Sequence, residues 1–302
     1  MGGASMTNQA PDRRSRLAAQ RAEARRAASR NRLLVAGGSI VAVIAVIVAF
    51  VLLQGNGSPS NTGGPAIPTG TALARLVHQV TSVPTATTDA VGAGQATSPP
   101  TTITGPPLTS DGKPEVLYMG AEYCPYCAAQ RWALTVALSR FGTFSGLAAT
   151  HSAAKSGAGQ AEPYPNTPTL TFANARFASK YLTFTPVETQ TNIPDPGSGG
   201  YTALQTPTAA QQALLSKYDA AYQGAIPFID LGNRYLSVGS SFNPSALSGL
   251  TWSQIATRLH DPSTPVAKAV LGAANHLTAA MCRLTNDQPA AACTAAVKSL
   301  KI

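Results

Sequence analysis

The segment that most constrains this chain runs from Leu33 to Leu53, because it contains 21 consecutive residues without a charged side chain. An α-helix rises about 1.5 Å per residue, so about 20 apolar residues cross the roughly 30 Å hydrocarbon core of a bilayer. A buried helix of a globular domain is normally shorter and has a polar face. We therefore predict that residues 33–53 form one transmembrane helix.

The flanks of this segment predict its processing and its orientation. A cleaved secretory signal is the alternative, but its apolar region is normally about 7–15 residues long and ends at an Ala-x-Ala-like site. Here Gln-Gly-Asn-Gly follows at residues 54–57, which favours an uncleaved anchor. Residues 1–32 contain eight arginines, one aspartate and one glutamate. Positive charge stays in the cytoplasm, so we expect a cell-membrane protein with a cytoplasmic leader (1–32) and an extracytoplasmic C-terminal part.

The net charge of +9 does not indicate a nucleic-acid partner. The leader accounts for +6 of it, so the other 270 residues carry only +3. Such a chain lacks the basic stripe that follows a phosphate backbone. The leader instead suits anionic lipid head groups, and the membrane is the predicted partner.

Composition divides the exported part into a linker and a domain. Residues 54–112 are rich in Gly, Pro, Ser and Thr, which predicts a low-complexity linker with a short amphipathic docking helix near 71–80. From residue 113 to 302, strand and helix patterns follow one another and predict an α/β domain. Within it we expect an irregular insert at about 152–205 and a helical hairpin at about 266–300.

Cys124 and Cys127 form a C-x-x-C motif between a strand pattern at 115–120 and a helix pattern at 128–140. At a helix N-terminus, unpaired N–H groups and the helix dipole favour a thiolate. Such a thiolate attacks a client disulfide, and a second cysteine one turn later resolves the mixed disulfide. Cys124 is therefore the candidate nucleophile and Cys127 the candidate resolving thiol, while Pro125 suits the first helical turn.

Other interpretations of the C-x-x-C motif compete with a redox-active pair. A zinc site needs a second C-x-x-C or a spaced histidine pair, and none of the four histidines has ligand spacing. We therefore predict no metal and no other cofactor. An inert structural disulfide and a redox relic in a binding module stay open, and we favour the redox-active pair.

The other two cysteines, Cys282 and Cys293, lie at equal distances from the turn sequence at 286–289. Equidistant positions of an αα-hairpin can face each other. An even number of cysteines in an exported protein also indicates pairing. We predict that this pair is a structural disulfide, and a second redox pair that passes electrons to Cys127 is the alternative.

The order of strand, C-P-Y-C, helix, strand, Ile-Pro, hairpin and helix resembles the thioredoxin superfamily. The resemblance implies a thioredoxin-like fold and places Ile226-Pro227 at that superfamily's cis-proline, which lies against the active-site disulfide and helps to bind the substrate backbone. An ordinary trans proline that opens an edge strand is the alternative. Residues 71–300 also resemble a membrane-anchored, thioredoxin-like family called domain of unknown function 929, through Val80–Pro84, Tyr118–Ala128 and the two C-terminal cysteines.

The site departs from the superfamily at one position. Tyr118 stands six residues before the first cysteine, where many thioredoxins have a buried acid that assists proton transfer. Glu122 is a nearby acid, and the direction of its side chain is open. The Pro-Tyr dipeptide between the cysteines resembles that of glutaredoxins, but the sequence contains no recognisable glutathione site. We expect Tyr126, together with Pro125, Glu122 and Ile226, to support the two cysteines without reacting itself.

The sequence thus predicts an α/β, thioredoxin-like domain with an irregular insert and a C-terminal helical hairpin, preceded by one transmembrane helix. Its expected function is that of a membrane-tethered extracytoplasmic thiol–disulfide oxidoreductase that uses Cys124, Cys127 and Pro227. Its expected partners are protein thiol or disulfide clients and an unidentified redox partner. A non-catalytic binding or scaffold domain with structural disulfides is the alternative.

Overall fold

The computed structural model describes residues 66–302, except residues 158, 220 and 221. The predicted leader (1–32), the predicted transmembrane helix (33–53) and the first part of the linker (54–65) lie outside the described residues. Within that part of the chain, no helix is both long enough and apolar enough to cross a bilayer. The described residues form a mixed α/β unit, as the sequence predicts.

The helices and strands of the described residues are numbered here in chain order. The helices are α1 (Gly70–Thr81), α2 (Thr85–Val91), α3 (Pro125–Ser139), α4 (Ala209–Tyr218), α5 (Trp252–Arg258), α6 (Pro265–Leu284) and α7 (Ala295–Lys298), with a 3₁₀ turn at Pro244–Leu247. The strands are β1 (Thr101–Thr102), β2 (Thr109–Ser110), β3 (Lys113–Gly120), β4 (Gly142–Ser145), β5 (Ala148–His151), β6 (Pro168–Thr171), β7 (Arg176–Ser179), β8 (Thr183–Glu188), β9 (Gln190–Asp195), β10 (Gly200–Ala203), β11 (Phe228–Leu231) and β12 (Tyr235–Val238).

The largest sheet has six strands, and β3 is its central strand. β11 pairs with β3 in antiparallel orientation, and β8 pairs with it in parallel orientation. β12 and β1 extend the sheet beyond β11, and β2 pairs with the first residues of β3. Successive side chains of a strand point to opposite faces, so Tyr118 joins the larger apolar cluster while Leu117 and Met119 join the smaller one.

Helix α3 carries the second cysteine of the motif and is enclosed on nearly every side. Thirteen of its 15 residues are buried, so its polar side chains need partners inside the protein. Gln130 donates to Ser241 Oγ at 3.0 Å, and Trp132 Nε1 donates to the carbonyl of Pro168 at 2.8 Å. These bonds hold the helix, and with it the C-x-x-C motif, in one position.

The prediction that residues 81–112 belong to a linker is wrong, because this segment packs on the domain. Residues 85–91 form α2, and the Asn275 side chain donates to the carbonyls of Thr88 and Gly92 at 2.7 and 2.8 Å. The predicted docking helix is α1, which buries Leu76 and Val80. Composition does not reveal this packing, because partners of the segment such as α6 and β12 lie far away in the sequence.

The prediction of an irregular insert at 152–205 is also wrong. Strands β6 to β10 lie within it, and β8 is the parallel neighbour of β3. The segment between α3 and this region contains β4 and β5, which form separate two-stranded sheets with β7 and β6. Parallel strands need a long crossover between them. The sequence can therefore indicate a strand without indicating which other strand it pairs with.

The predicted C-terminal hairpin has one long arm and one short arm. The long arm is α6, but the rest of the predicted hairpin, up to about residue 300, is helical only in α7. Asn286 and Asp287 both have positive φ angles, which turn the chain after α6. Helix α7 then begins after Thr294, whose Oγ1 accepts a hydrogen bond from the amide of Val297.

Candidate active site

Cys124 is the N-cap of α3, and the first helical residue is Pro125. The amide of Cys127 donates to Cys124 Sγ at 3.2 Å, so the sulfur occupies the position of a capping oxygen. Cys124 Sγ in turn lies 3.7 Å from the carbonyl oxygen of Ile226, to which the thiol donates. Both cysteines are free thiols, and Cys124 is 5% exposed whereas Cys127 is fully buried.

The two thiols have opposite pKa shifts although they are neighbours. Burial raises the pKa of Cys124, but hydrogen bonds from Cys127 and the positive charge of Arg131 outweigh it, and the net pKa is lowered. Burial raises the pKa of Cys127 well above its usual value, and its hydrogen bond to Cys124 adds to the shift. The pair therefore favours a thiolate on Cys124 and a protonated thiol on Cys127.

The Ile226-Pro227 segment lies directly before β11 and faces Cys124. Its peptide bond is cis, Pro227 is buried and Ile226 is half-buried. The sequence resemblance placed these two residues beside the cysteines, and the contact between Cys124 Sγ and the Ile226 carbonyl brings them together.

Tyrosine rings surround the outer side of the motif. Tyr126 is 40% exposed, and its ring meets the edge of Tyr164 at a centroid distance of 5.9 Å. Tyr123 stacks on Tyr201 with the ring centroids 4.2 Å apart. Tyr164 and Tyr201 both come from the region predicted as an insert, so this region forms one wall of the site.

The backbone and the side chain of Glu122 both have partners in the same region. Its amide donates to the carbonyl of Gln190 at 2.8 Å. Burial raises the pKa of its carboxyl group, and a hydrogen bond with Thr171 partly opposes that shift. Glu122 is therefore a half-buried acid held by β6 and β9.

An ion pair that sequence reasoning missed lies in the interior next to the cysteines. Arg131 Nε is 2.8 Å from Glu188 Oε1, and Arg131 Nη2 is 2.9 Å from Glu188 Oε2. Both side chains have no exposed surface. Arg131 follows Cys127 by four residues and so lies on the same face of α3, which is a signal that the sequence does contain. Glu188 gave no such signal, because only the pairing of β8 with β3 brings it close.

Tyr118, the residue six positions before the first cysteine, is completely buried. Burial raises the pKa of its hydroxyl well above 10.0, so the hydroxyl keeps its proton at neutral pH. A Cβ atom at residue 120 would overlap Tyr118 Oη, and Gly120 therefore leaves the space that the phenol fills.

Cys282 and Cys293 form a disulfide, which confirms the predicted pairing. The S–S distance is 2.01 Å and the Cα atoms are 5.6 Å apart. Cys282 belongs to the last turn of α6, and Cys293 precedes the cap of α7. Among the described residues, no group of three or more His, Cys, Asp or Glu side chains is placed to hold a metal ion.

Comparison with known families gives one match. The domain of unknown function DUF929 matches residues 100–195 and 200–283, which is more than half of the chain. The chain belongs to this family. No curated protein and no solved structure matches the chain at a significant level. The resemblance to domain of unknown function 929 is confirmed. Because the description of this family assigns no activity, the function has to be argued from the site.

Proposed function

We propose that this chain is a membrane-tethered thiol–disulfide oxidoreductase of thioredoxin-like fold that acts outside the cytoplasm. The observation that carries the proposal is the position of Cys124 Sγ at the start of α3, where it accepts the amide of Cys127 at 3.2 Å. The lowered pKa of Cys124 beside the raised pKa of Cys127 suits an attacking thiolate and a resolving thiol.

The reaction is an exchange of disulfide bonds. The Cys124 thiolate attacks one sulfur of a client disulfide, a mixed disulfide forms, and the other client sulfur leaves as a thiolate. Cys127 then loses its proton and attacks Cys124 Sγ, which releases the second client thiolate. The client gains two electrons, and a Cys124–Cys127 disulfide forms. The reverse sequence oxidises a client dithiol.

The arrangement around β3 supports a thioredoxin-like fold. β3 and β8 are parallel neighbours, and α3 lies between them in the chain. β11, the first strand of the β11–β12 hairpin, pairs with the same central strand in antiparallel orientation. Pro227 precedes β11, which brings the Ile226 carbonyl to Cys124. In this proposal Pro227 and Ile226 contact the backbone of the client, while Tyr126 contributes exposed surface beside the sulfur.

The location outside the cytoplasm rests on the sequence and on the second cysteine pair. The 21-residue apolar segment and the arginine-rich leader favour an anchored protein with its N-terminus in the cytoplasm. The Cys282–Cys293 disulfide is what an oxidising compartment favours. A cysteine introduced near residue 60 should react with a membrane-impermeant reagent on intact cells. Labelling of a cysteine at residue 5 instead would mean that the N-terminus lies outside the cytoplasm.

One observation favours a second candidate, a non-catalytic scaffold domain. The side chain of Cys124 is only 5% exposed, and an inert pair of thiols or an inert disulfide is normally buried. The two candidates differ in turnover, because a scaffold needs no thiolate.

The experiment that separates them measures insulin reduction and oxidative refolding of a reduced client by the full-length protein in detergent. We expect turnover by the wild type and background rates for Cys124→Ser, while its thermal unfolding stays close to that of the wild type. The double variant C282A/C293A is the matched control, since it loses two cysteines but keeps the motif. Equal rates for the wild type and Cys124→Ser would leave the scaffold.

A further inference from the structure

Two of the three guanidinium nitrogens of Arg131 have hydrogen-bond acceptors. Its Nε and Nη2 atoms contact the two carboxylate oxygens of Glu188, and Nη2 also donates to the carbonyl of Ala121 at 2.6 Å. Its third nitrogen, Nη1, is buried and has no hydrogen-bond partner among the described residues. A buried donor without an acceptor is rare in folded proteins, so this atom needs an explanation.

A second unpartnered donor lies in the same interior region. Tyr118 Oη is buried and has no partner among the described residues. The charges of Arg131 and of both cysteines act on this phenol, which places all four groups in one electrostatic neighbourhood. A thiolate is an acceptor without a proton of its own, and it would suit both donors.

A purely structural role explains this arrangement poorly. Replacing a buried ion pair with apolar side chains of similar volume is often neutral or stabilising, because desolvation offsets the attraction. The pair also lies on the face of α3 that Cys127 shares, four residues along the helix. Buried charges of this kind are concentrated at functional sites.

We propose that Arg131, fixed by Glu188, is a positioning residue that stabilises the thiolate form of the Cys124–Cys127 dithiol and so makes the site an oxidant of client dithiols. This inference rests on the proposed oxidoreductase function and adds its direction. A group that favours the thiolate favours the reduced pair over the disulfide, and the disulfide then accepts electrons more readily.

The oxidising reaction balances without a buried base. A client thiolate attacks Cys124 Sγ of the disulfide, and the Cys127 sulfur leaves as a thiolate near the guanidinium of Arg131. A second client thiolate attacks the client sulfur of the mixed disulfide, and Cys124 leaves as a thiolate. Two electrons pass from the client to the site, one client proton moves to Cys127, and the other enters the solvent. A disulfide-containing oxidant such as glutathione disulfide returns the site to its starting state.

The charged and titratable groups around the sulfurs come from three elements. Arg131 lies on α3 and Glu188 ends β8, while Tyr118, Glu122 and Tyr123 belong to β3 and the loop after it. Glu188 binds the Nε–Nη2 edge of the guanidinium, which leaves Nη1 as the unpartnered atom. The positive charge of Arg131 stabilises a thiolate on these sulfurs, and the negative charge of Glu188 opposes that stabilisation.

The test uses two variants whose effects on Cys124 have opposite signs. Arg131→Met removes the cation and leaves Glu188, so the pKa of Cys124 should rise by about one unit or more. Glu188→Gln keeps a hydrogen-bonding side chain but removes the anion, so the same pKa should fall below the wild-type value. Arg131→Lys keeps the charge and should restore most of the wild-type pKa.

The measurement is the ultraviolet absorbance of the thiolate as a function of pH, on reduced full-length protein with the Cys282–Cys293 disulfide intact. The equilibrium constant for exchange with glutathione is measured in parallel, and Arg131→Met should make the disulfide about tenfold less oxidising. Gln130→Ala is the matched control, because Gln130 is a buried, hydrogen-bonded neighbour on α3. It should lower stability without shifting the pKa of Cys124.

Shifts of the same sign in Arg131→Met and Glu188→Gln, or no shift in either, would overturn the inference. If Arg131→Met fails to fold, the double variant R131M/E188L removes both charges, and a Cys124 pKa at or below the wild-type value would overturn it equally. These readouts need no client. Opposite shifts in a protein without turnover would therefore refute the oxidoreductase and keep the electrostatic role, whereas turnover without the shifts would refute only the role of Arg131.

Discussion

The two cysteine pairs of this protein are buried to the same extent, yet they differ in chemistry. Each has one member 5% exposed and one fully buried: Cys124 and Cys127 in the first pair, Cys293 and Cys282 in the second. The first pair is a dithiol at the start of a helix, and the second is a disulfide that begins in the last turn of a helix. A helix N-terminus favours a thiolate and a C-terminus disfavours it. The comparison teaches that the two pairs differ in their position on a helix rather than in their exposure, and it predicts that the first pair is the reactive one.

The largest expected effect comes from removing the resolving thiol. In Cys127→Ser the protein has no second thiol that can release the mixed disulfide on Cys124, so turnover should fall to background and covalent client adducts should accumulate. Non-reducing gel electrophoresis followed by mass spectrometry locates the adducts. C124S/C127S is the control and should form none. Adducts on Cys282 or Cys293 would erase the difference between the two pairs.

The second effect concerns stability. The Cys282–Cys293 disulfide spans 11 residues in sequence, and C282A/C293A should lose about 3 kcal/mol of unfolding free energy in the chain-entropy description. Urea unfolding of the oxidised proteins measures this loss, and the alkylation rate of Cys124 should stay unchanged. Unchanged stability with lost turnover would instead make the second pair a relay to Cys127.

The third effect is the pH dependence of the first pair. A lowered pKa means that the Cys124 thiolate forms at lower pH than a free thiol, so its alkylation rate should reach half-maximum below about pH 8.5. Cys127 should stay unreactive over the same range because its pKa is raised. Quenched alkylation with mass spectrometry of the reduced protein gives both curves. A midpoint at or above pH 8.5 for Cys124 would contradict the assignment.

The smallest effect tests the surroundings of the second pair. Thr294 follows Cys293, and its hydroxyl caps α7 and donates to Asp89 Oδ1 at 2.8 Å. Thr294→Ala should therefore lower the unfolding free energy by about 1 kcal/mol, whereas Thr294→Ser keeps the hydroxyl and should stay close to the wild type. In both variants, Cys124 should be alkylated at the same rate as in the wild type. Equal stability of the two variants would mean that the disulfide alone holds this end of the chain.

Sequence reasoning succeeded where the signal is local. The junction of strand, C-x-x-C and helix appears in β3 and α3, and the turn at 286–289 correctly paired Cys282 with Cys293. It failed for residues 81–112, whose Pro, Gly and Thr content resembles that of a linker, and for the region at 152–205, whose aromatic-rich sequence has no regular pattern over most of its length. Both regions are ordered by contacts with residues far along the chain, such as Asn275 with Thr88.

The amino-acid sequence by itself therefore determined the family, the spacing and helical position of Cys124 and Cys127, and the partner of Cys282. The positions of the cysteines follow from residues within a few helical turns along the chain. The stereochemistry of the backbone determines the geometry of such short segments. Only the tertiary structure decided that β8 lies beside β3, because parallel pairing depends on a crossover of many residues. That pairing places Glu188 against Arg131, and the ion pair beside the two sulfurs is thus a property of the folded chain alone.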